Sequence, residues 1–193
     1  MDASLFEMIN HLAGKSPSLD AVMILSAKYL LVLFAVTLII FYLTFQAKQQ
    51  RIAILAGVST LLALGIAQGI AFLDPRPRPY LTHIARLLIE RTNDPSFPSD
   101  HATFCFAIAT MIWLYHRRLG SVLLGLALLV GFSRIYVGTH YPTDVIGGAV
   151  LGMAVSLIIN YIARQTRPRI FLDRLFLRLH EWRLAAKPVN IGE

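Results

Sequence analysis

The sequence predicts an all-α integral membrane protein: a polytopic bundle of about five transmembrane helices, preceded by an interfacial helix and followed by an amphipathic one. Three observations carry this. The apolar fraction is 56% and the charged fraction 15%, against roughly 45–50% and about 25% in soluble domains. Ile52–Leu73 and Val145–Ala163 contain no charge, and Ala21–Phe45 carries only Lys28, so each supplies the about 20 residues a helix needs to cross hydrocarbon. Finally, the basic residues gather after alternate apolar runs.

Taken in order, residues 1–14 place Leu5, Phe6, Met8, Ile9 and Leu12 mostly on one helical face, the pattern of a helix lying at the interface. Ser16-Pro17-Ser18 ends it. Asp2 and Glu7 stand where a cleavable signal would be basic, and the apolar run that follows is too long for a signal core. Spans follow at about 20–45, 52–73, 99–116, 119–138 and 143–163. The third is short and the fourth carries Arg134, so each needs its polar end to reach full length. Residues 1–169 read as one membrane-embedded domain. Residues 170–193 read as a cytoplasmic basic tail with Phe171, Leu172, Leu175, Phe176, Leu179 and Trp182 on one face and arginines opposite. Such a helix suits anionic lipid, and a solvated face is its plainer equivalent.

The net charge of +7 does not point to nucleic acid, because no basic patch is interleaved with aromatics. Lys48 and Arg51 follow span one, Arg117 and Arg118 follow span three, and seven basic residues from Arg164 to Lys187 follow span five. With five spans these regions share one side, which the positive-inside rule makes the cytoplasm. The single cysteine, Cys105, excludes an intrachain disulfide and any CxxC metal site.

The same topology brings three polar clusters together on the opposite, extracytoplasmic side. Asp74-Pro75-Arg76-Pro77-Arg78-Pro79 ends span two, Ser96-Phe97-Pro98-Ser99-Asp100-His101-Ala102 opens span three, and Ser133-Arg134 with His140 to Asp144 joins spans four and five. Each cluster has a plain reading. Ser99 or Asp100 can cap a helix, Arg76 and Arg78 can anchor headgroups, and Arg134 can snorkel to the interface. Jointly they supply what phosphoryl transfer requires: cations for the equatorial oxygens, a nucleophile and an acid. His140 and Asp144 are four residues apart, on one face if a helix begins near His140. His101, His140 and Asp144 are also a possible metal set. Three arginines beside a divalent cation would repel it, whereas beside a bare phosphate they replace it. No metal or cofactor is therefore expected.

Arg78-Pro79, then Pro98-Ser99-Asp100-His101, then Ser133-Arg134 with His140 and Asp144 at the motif spacing resemble the three signatures of the type 2 phosphatidic acid phosphatase superfamily. The form of the second, with the short chain, is similar to bacterial undecaprenyl-diphosphate phosphatases of the bacitracin-resistance type. The likeness covers roughly the first to the fifth span. It departs once: Ala71 stands where the first motif usually has lysine, and Arg76 is the candidate replacement cation. The resemblance implies His140 as nucleophile, Asp144 orienting it, and His101 as the acid that later activates water. It also implies Arg78, Arg134 and Ser99 as phosphoryl ligands. The implied substrate is a polyprenyl diphosphate lipid in the bacterial plasma membrane. Phosphatidylglycerol phosphate, phosphatidate, or transfer to an acceptor such as lipid A remain open, as does a non-catalytic anion or lipid transporter. Gly65 with Gly69 and Gly148 with Gly152 would let the helices carrying the first and third clusters approach closely.

Overall fold

The computed structural model describes residues 2–82 and 85–165, so the predicted tail at 170–193 lies outside the described residues. Among the described residues every regular element is helical: α1 Asp2–Asn10, α2 Pro17–Lys28, α3 Leu30–Leu43, α4 Ala47–Leu73, α5 Pro79–Thr82, α6 Asp100–Tyr115, α7 Arg117–Tyr136 and α8 Pro142–Gln165. Residues 1–159 form one compact unit and residues 160–193 a second, described as far as residue 165, where it is helical.

Three helices, α4, α7 and α8, are long and apolar enough to cross a membrane. This is a multi-pass membrane protein. The span predicted over 20–45 is instead two helices, α2 and α3, bent by 42° at Tyr29. Their partners differ. Met23 and Ala27 of α2 pack with Tyr136 and Val137 at the end of α7, whereas Phe34 of α3 enters the main core. A straight helix could not serve both.

The predicted third span is α6, whose 16 residues rise about 24 Å, short of a core of about 30 Å. Its length is explained by its place, because α6 is the central helix. Ala102, Cys105, Ile108, Ala109 and Ile112 are fully buried, and α3, α4 and α7 pack around it. Facing it, α4 turns inward a stripe of small residues, Ala56, Ala63, Ala67 and Ala71, and turns Leu61, Leu62, Phe72 and Leu73 outward. That division suits a helix with lipid on one side and close helix contact on the other.

The two glycine pairs behave differently. A Cβ at Gly148 would stand 2.5 Å from the Ser99 carbonyl oxygen, and one at Gly152 would stand 2.4 Å from that of Thr103. The α8 backbone therefore lies directly against the first turns of α6. Gly65 and Gly69 meet nothing within 4 Å, so the expected close approach there does not occur.

The predicted interfacial helix begins as α1, with Phe6 fully buried and Leu5, Met8 and Leu12 exposed. Phe6 meets the Tyr141 ring edge-on at 5.5 Å between centroids. Asn10 donates to the Arg86 and Tyr136 carbonyls and accepts from the Arg86 amide. These contacts fasten α1 over the α7–α8 turn.

Candidate active site

Helix α7 stops where it does because Gly138, at φ +90°, takes a left-handed turn that carries little penalty only for glycine. The carbonyl of Arg134 then accepts from the Thr139 amide, the Thr139 hydroxyl and the His140 amide. This tight exit delivers His140 into the protein, where it is only 2% exposed. Its Nδ1 lies 2.8 Å from the Ser96 carbonyl oxygen. A carbonyl only accepts, so Nδ1 carries the proton and Nε2 the lone pair. Burial, with the nearby charges of Arg134 and Arg78, pushes the His140 pKa down to about 4. The imidazole is neutral near pH 7, with Nε2 unprotonated.

His140 borders a cavity of about 110 Å³ that is also lined by Arg78, Thr92, Asp94, Pro95, Pro98, Asp100, His101 and Arg134. Arg78 is nearly buried; its Nη1 donates to the Thr139 carbonyl at 3.1 Å and stands 3.3 Å from His140 Nε2. Arg134 comes from the last turn of α7. One of its nitrogens makes a long bond of 3.4 Å to the Ala27 carbonyl at the α2–α3 bend, while its buried Nε has no partner among the described residues.

Ser99 is the N-cap of α6, but its side chain makes no capping bond, and its buried Oγ has no partner among the described residues. A buried polar group left unpaired costs about 1–3 kcal/mol, and among the described residues Ser99 Oγ and Arg134 Nε are two such groups. Asp100, at the first position of α6, accepts from Gln68 Nε2 at 2.8 Å. The structure thus brings Arg78, His101, Arg134 and His140 around one cavity, with Ser99 at the helix end beside it.

Arg76 is placed otherwise than the sequence suggested. It does not line the cavity. Its Nη1 binds Asp144 Oδ1 at 2.7 Å, its Nη2 binds Asp2 Oδ2 at 2.7 Å, and its guanidinium lies 4.3 Å over the Tyr141 ring. Two carboxylates occupy the fork that a phosphate would need. Asp144 also differs from expectation. Its Oδ2 is 3.7 Å from His140 Nδ1, because the Ser96 carbonyl takes the nearer position. That oxygen accepts instead from Ser96 Oγ and from the Tyr141 amide.

Residues 52–168, which include all three polar clusters, match the PAP2 superfamily. The chain belongs to this superfamily. Among PAP2-type relatives, undecaprenyl-diphosphatase BcrC of Bacillus subtilis is 32% identical over 193 residues, covering 98% of each chain. Putative undecaprenyl-diphosphatase YbjG of Escherichia coli is 30% identical, over 94% of this chain and 90% of its own. The crystal structure of Aquifex aeolicus LpxE superposes with a TM-score of 0.68 at 28% identity, covering 83% of this chain and 94% of that one.

Three participants in this PAP2 site escaped sequence reasoning. Ser96 acts partly through its carbonyl, which carries no residue-type signal. Asp2 reaches Arg76 and Thr143 from α1. Asp94, on the rim, grips Arg78 through a 2.5 Å ion pair, while its carbonyl accepts from Arg78 Nε. Burial works to raise the Asp94 pKa, but a hydrogen bond from Thr92 and the charge of Arg78 outweigh it and hold the carboxyl below the usual range. A single aspartate in a polar, proline-rich loop gave no hint of this.

Proposed function

We propose that this protein hydrolyses undecaprenyl diphosphate to the monophosphate and phosphate, returning the lipid carrier for reuse, at the extracytoplasmic face of a bacterial plasma membrane. One observation carries the reading: a neutral imidazole lines a small cavity with two buried arginines, one of them 3.3 Å from its unprotonated Nε2, and a helix-end serine beside that cavity has a buried Oγ with no partner among the described residues. In that cavity the terminal phosphoryl group sits against Arg78, Arg134 and Ser99. His140 Nε2 attacks phosphorus and the bond to the bridging oxygen breaks. His101 gives a proton to the departing lipid phosphate. Water deprotonated by His101 then cleaves the N–P bond and releases phosphate. The arginines hold the positions a divalent ion would take, so the reaction runs without metal.

The names of the BcrC and YbjG relatives support the diphosphate as substrate, and the basic residues after alternate spans support the orientation. The experiment is phosphate release from undecaprenyl diphosphate by purified protein in EDTA, beside His140→Ala. Release by the wild type, and a loss of at least about 10³-fold in the variant with its folding intact, is expected. An active, folded His140→Ala protein would remove the nucleophile assignment. Metal-dependent release would remove the role given to the arginines. Sealed right-side-out vesicles should hydrolyse externally added substrate and inverted ones should not; the reverse would invert the orientation. A panel with phosphatidylglycerol phosphate and phosphatidate tests the diphosphate preference, which better turnover of a monophosphate would overturn.

A further inference from the structure

The strongest unexplained feature is the buried chain of charges behind His140. Asp144 is fully buried, and its two oxygens are divided. Oδ1 faces Arg76 Nη1 at 2.7 Å, while Oδ2 accepts from Ser96 Oγ and the Tyr141 amide and lies 3.7 Å from His140 Nδ1. Arg76 also donates to Thr143 Oγ1 at 2.7 Å, and its far nitrogen pairs with Asp2. Asp2 in turn accepts from the Thr143 amide at 3.1 Å, at the first turn of α8. The Arg76 carbonyl accepts from the Ser96 amide at 2.8 Å, so the same residue also sets the carbonyl that holds His140 Nδ1.

We propose that Arg76 and Asp2 are positioning residues, forming a carboxylate–guanidinium–carboxylate chain that fixes Asp144 behind His140. The proposal rests on the reading of His140 as nucleophile. When Nε2 bonds to phosphorus and the bridging P–O bond breaks, the ring keeps its Nδ1 proton and becomes cationic. A negative charge 3.7 Å from Nδ1 then stabilises the phosphohistidine and the state leading to it. Arg76 is the cation in contact with Asp144 among the described residues, and with Ser96 Oγ and the Tyr141 amide it sets where that carboxylate stands. Removing one partner of a buried ion pair leaves the other uncompensated, so without Arg76 the carboxylate loses the contact that places it behind the imidazole. Asp2 fixes the other half of the fork and, through Thr143, the start of α8. The groups around Asp144 are Arg76 and Asp2 on one side, His140 and Tyr141 on another, and Arg78 and Arg134 beyond the imidazole.

The test compares Arg76→Gln, Arg76→Lys and Asp2→Asn with His140→Ala and the wild type, reading kcat and KM on undecaprenyl diphosphate. Expected is a kcat loss of about 100-fold in Arg76→Gln, with KM within about threefold. Arg76→Lys should restore at least about tenfold of that loss, and Asp2→Asn, which keeps Arg76, should lose about three- to tenfold in kcat. A rise in KM with unchanged kcat in Arg76→Gln would make Arg76 a phosphate ligand and overturn the proposal. So would a wild-type kcat, or a loss that Arg76→Lys does not relieve in a protein that melts normally. If Arg76→Gln fails to fold, Asp2→Asn decides: an unchanged kcat overturns the proposal. His140→Ala keeps the two readings apart, because full activity there removes the nucleophile, whereas an inactive His140→Ala beside an unaffected Arg76→Gln removes only the charge chain.

Discussion

Two aspartates in this site meet arginines, and exposure separates their roles. Asp144 is wholly buried, so its pair with Arg76 is a fixed part of the architecture. The Asp94 side chain is 52% exposed, while that of Arg78, its partner, is 4% exposed. In the reaction proposed above, a half-exposed carboxylate on the fork of a buried arginine competes with the entering phosphoryl oxygen for that fork. Exposed ion pairs are worth about 0–1 kcal/mol, which is up to about fivefold in affinity. Asp94→Asn should therefore lower the inhibition constant of orthophosphate by about two- to fivefold, measured by competition against lipid substrate. A higher constant would show that Asp94 holds Arg78 in place. The two aspartates also differ in what the sequence disclosed. Asp144 lies four residues from His140, so its proximity was legible from helical spacing. The ligand of Arg76 was not, because Asp2 is 74 residues away. Nothing in an Arg-Pro-Arg-Pro run distinguishes a phosphate clamp from a guanidinium already shared by two carboxylates.

At the scale of elements, the site exists because α8 lies against α6. Ser99, His101 and the start of α6 come from one side of that contact, and Asp144 and the His140 turn from the other, with the Ser99 amide donating to the Asp144 carbonyl at 3.0 Å. A Cβ at Gly152 would stand 2.4 Å from the backbone oxygen of Thr103, which cannot swing aside as a side-chain tip can. Gly152→Ala should therefore force the helices apart at a cost of about 1–3 kcal/mol and lower kcat with it. Gly65→Ala and Gly69→Ala enter open space and should be neutral or stabilising by up to about 1 kcal/mol. Melting temperature and turnover of the three variants in detergent check this, and equal tolerance at Gly152 and Gly65 would refute it. Sequence spacing marks a pair of small residues but not which neighbour they face. Both pairs therefore looked alike until the helices were placed. The bend at Tyr29 was hidden for a related reason: Ala21–Phe45 carries no charge except Lys28 and no proline or glycine, and the break comes with two separate packing partners.

For the whole molecule, the membrane class was legible because the need to satisfy every backbone group in lipid leaves few options for long apolar runs. The central placement of α6 was not, since it depends on which helices surround it. That packing buries titratable groups whose protons couple to folding. His140 has a folded pKa of about 4 against an ordinary 6.5, because burial disfavours the cation. Between those values the unfolded chain binds the proton and the folded protein does not, so stability is full above about pH 6.5 and falls as pH drops toward 4. At about 1.36 kcal/mol per unit, the loss is on the order of a few kcal/mol. Asp2 behaves differently. Burial tends to raise its pKa, but hydrogen bonds from Thr143 and Arg76 and the arginine's charge hold it below 3.8. Its stabilisation is present above 3.8 and is lost only as pH falls through the lower folded value. Acid should therefore destabilise the protein in two stages, the histidine first and the carboxylates after it. Melting temperature in detergent from pH 8 to 3 should decline first between pH 6.5 and 4. In His140→Ala that first decline should shrink while the later one stays. A first decline of unchanged size in the variant would place the responsible proton on another group.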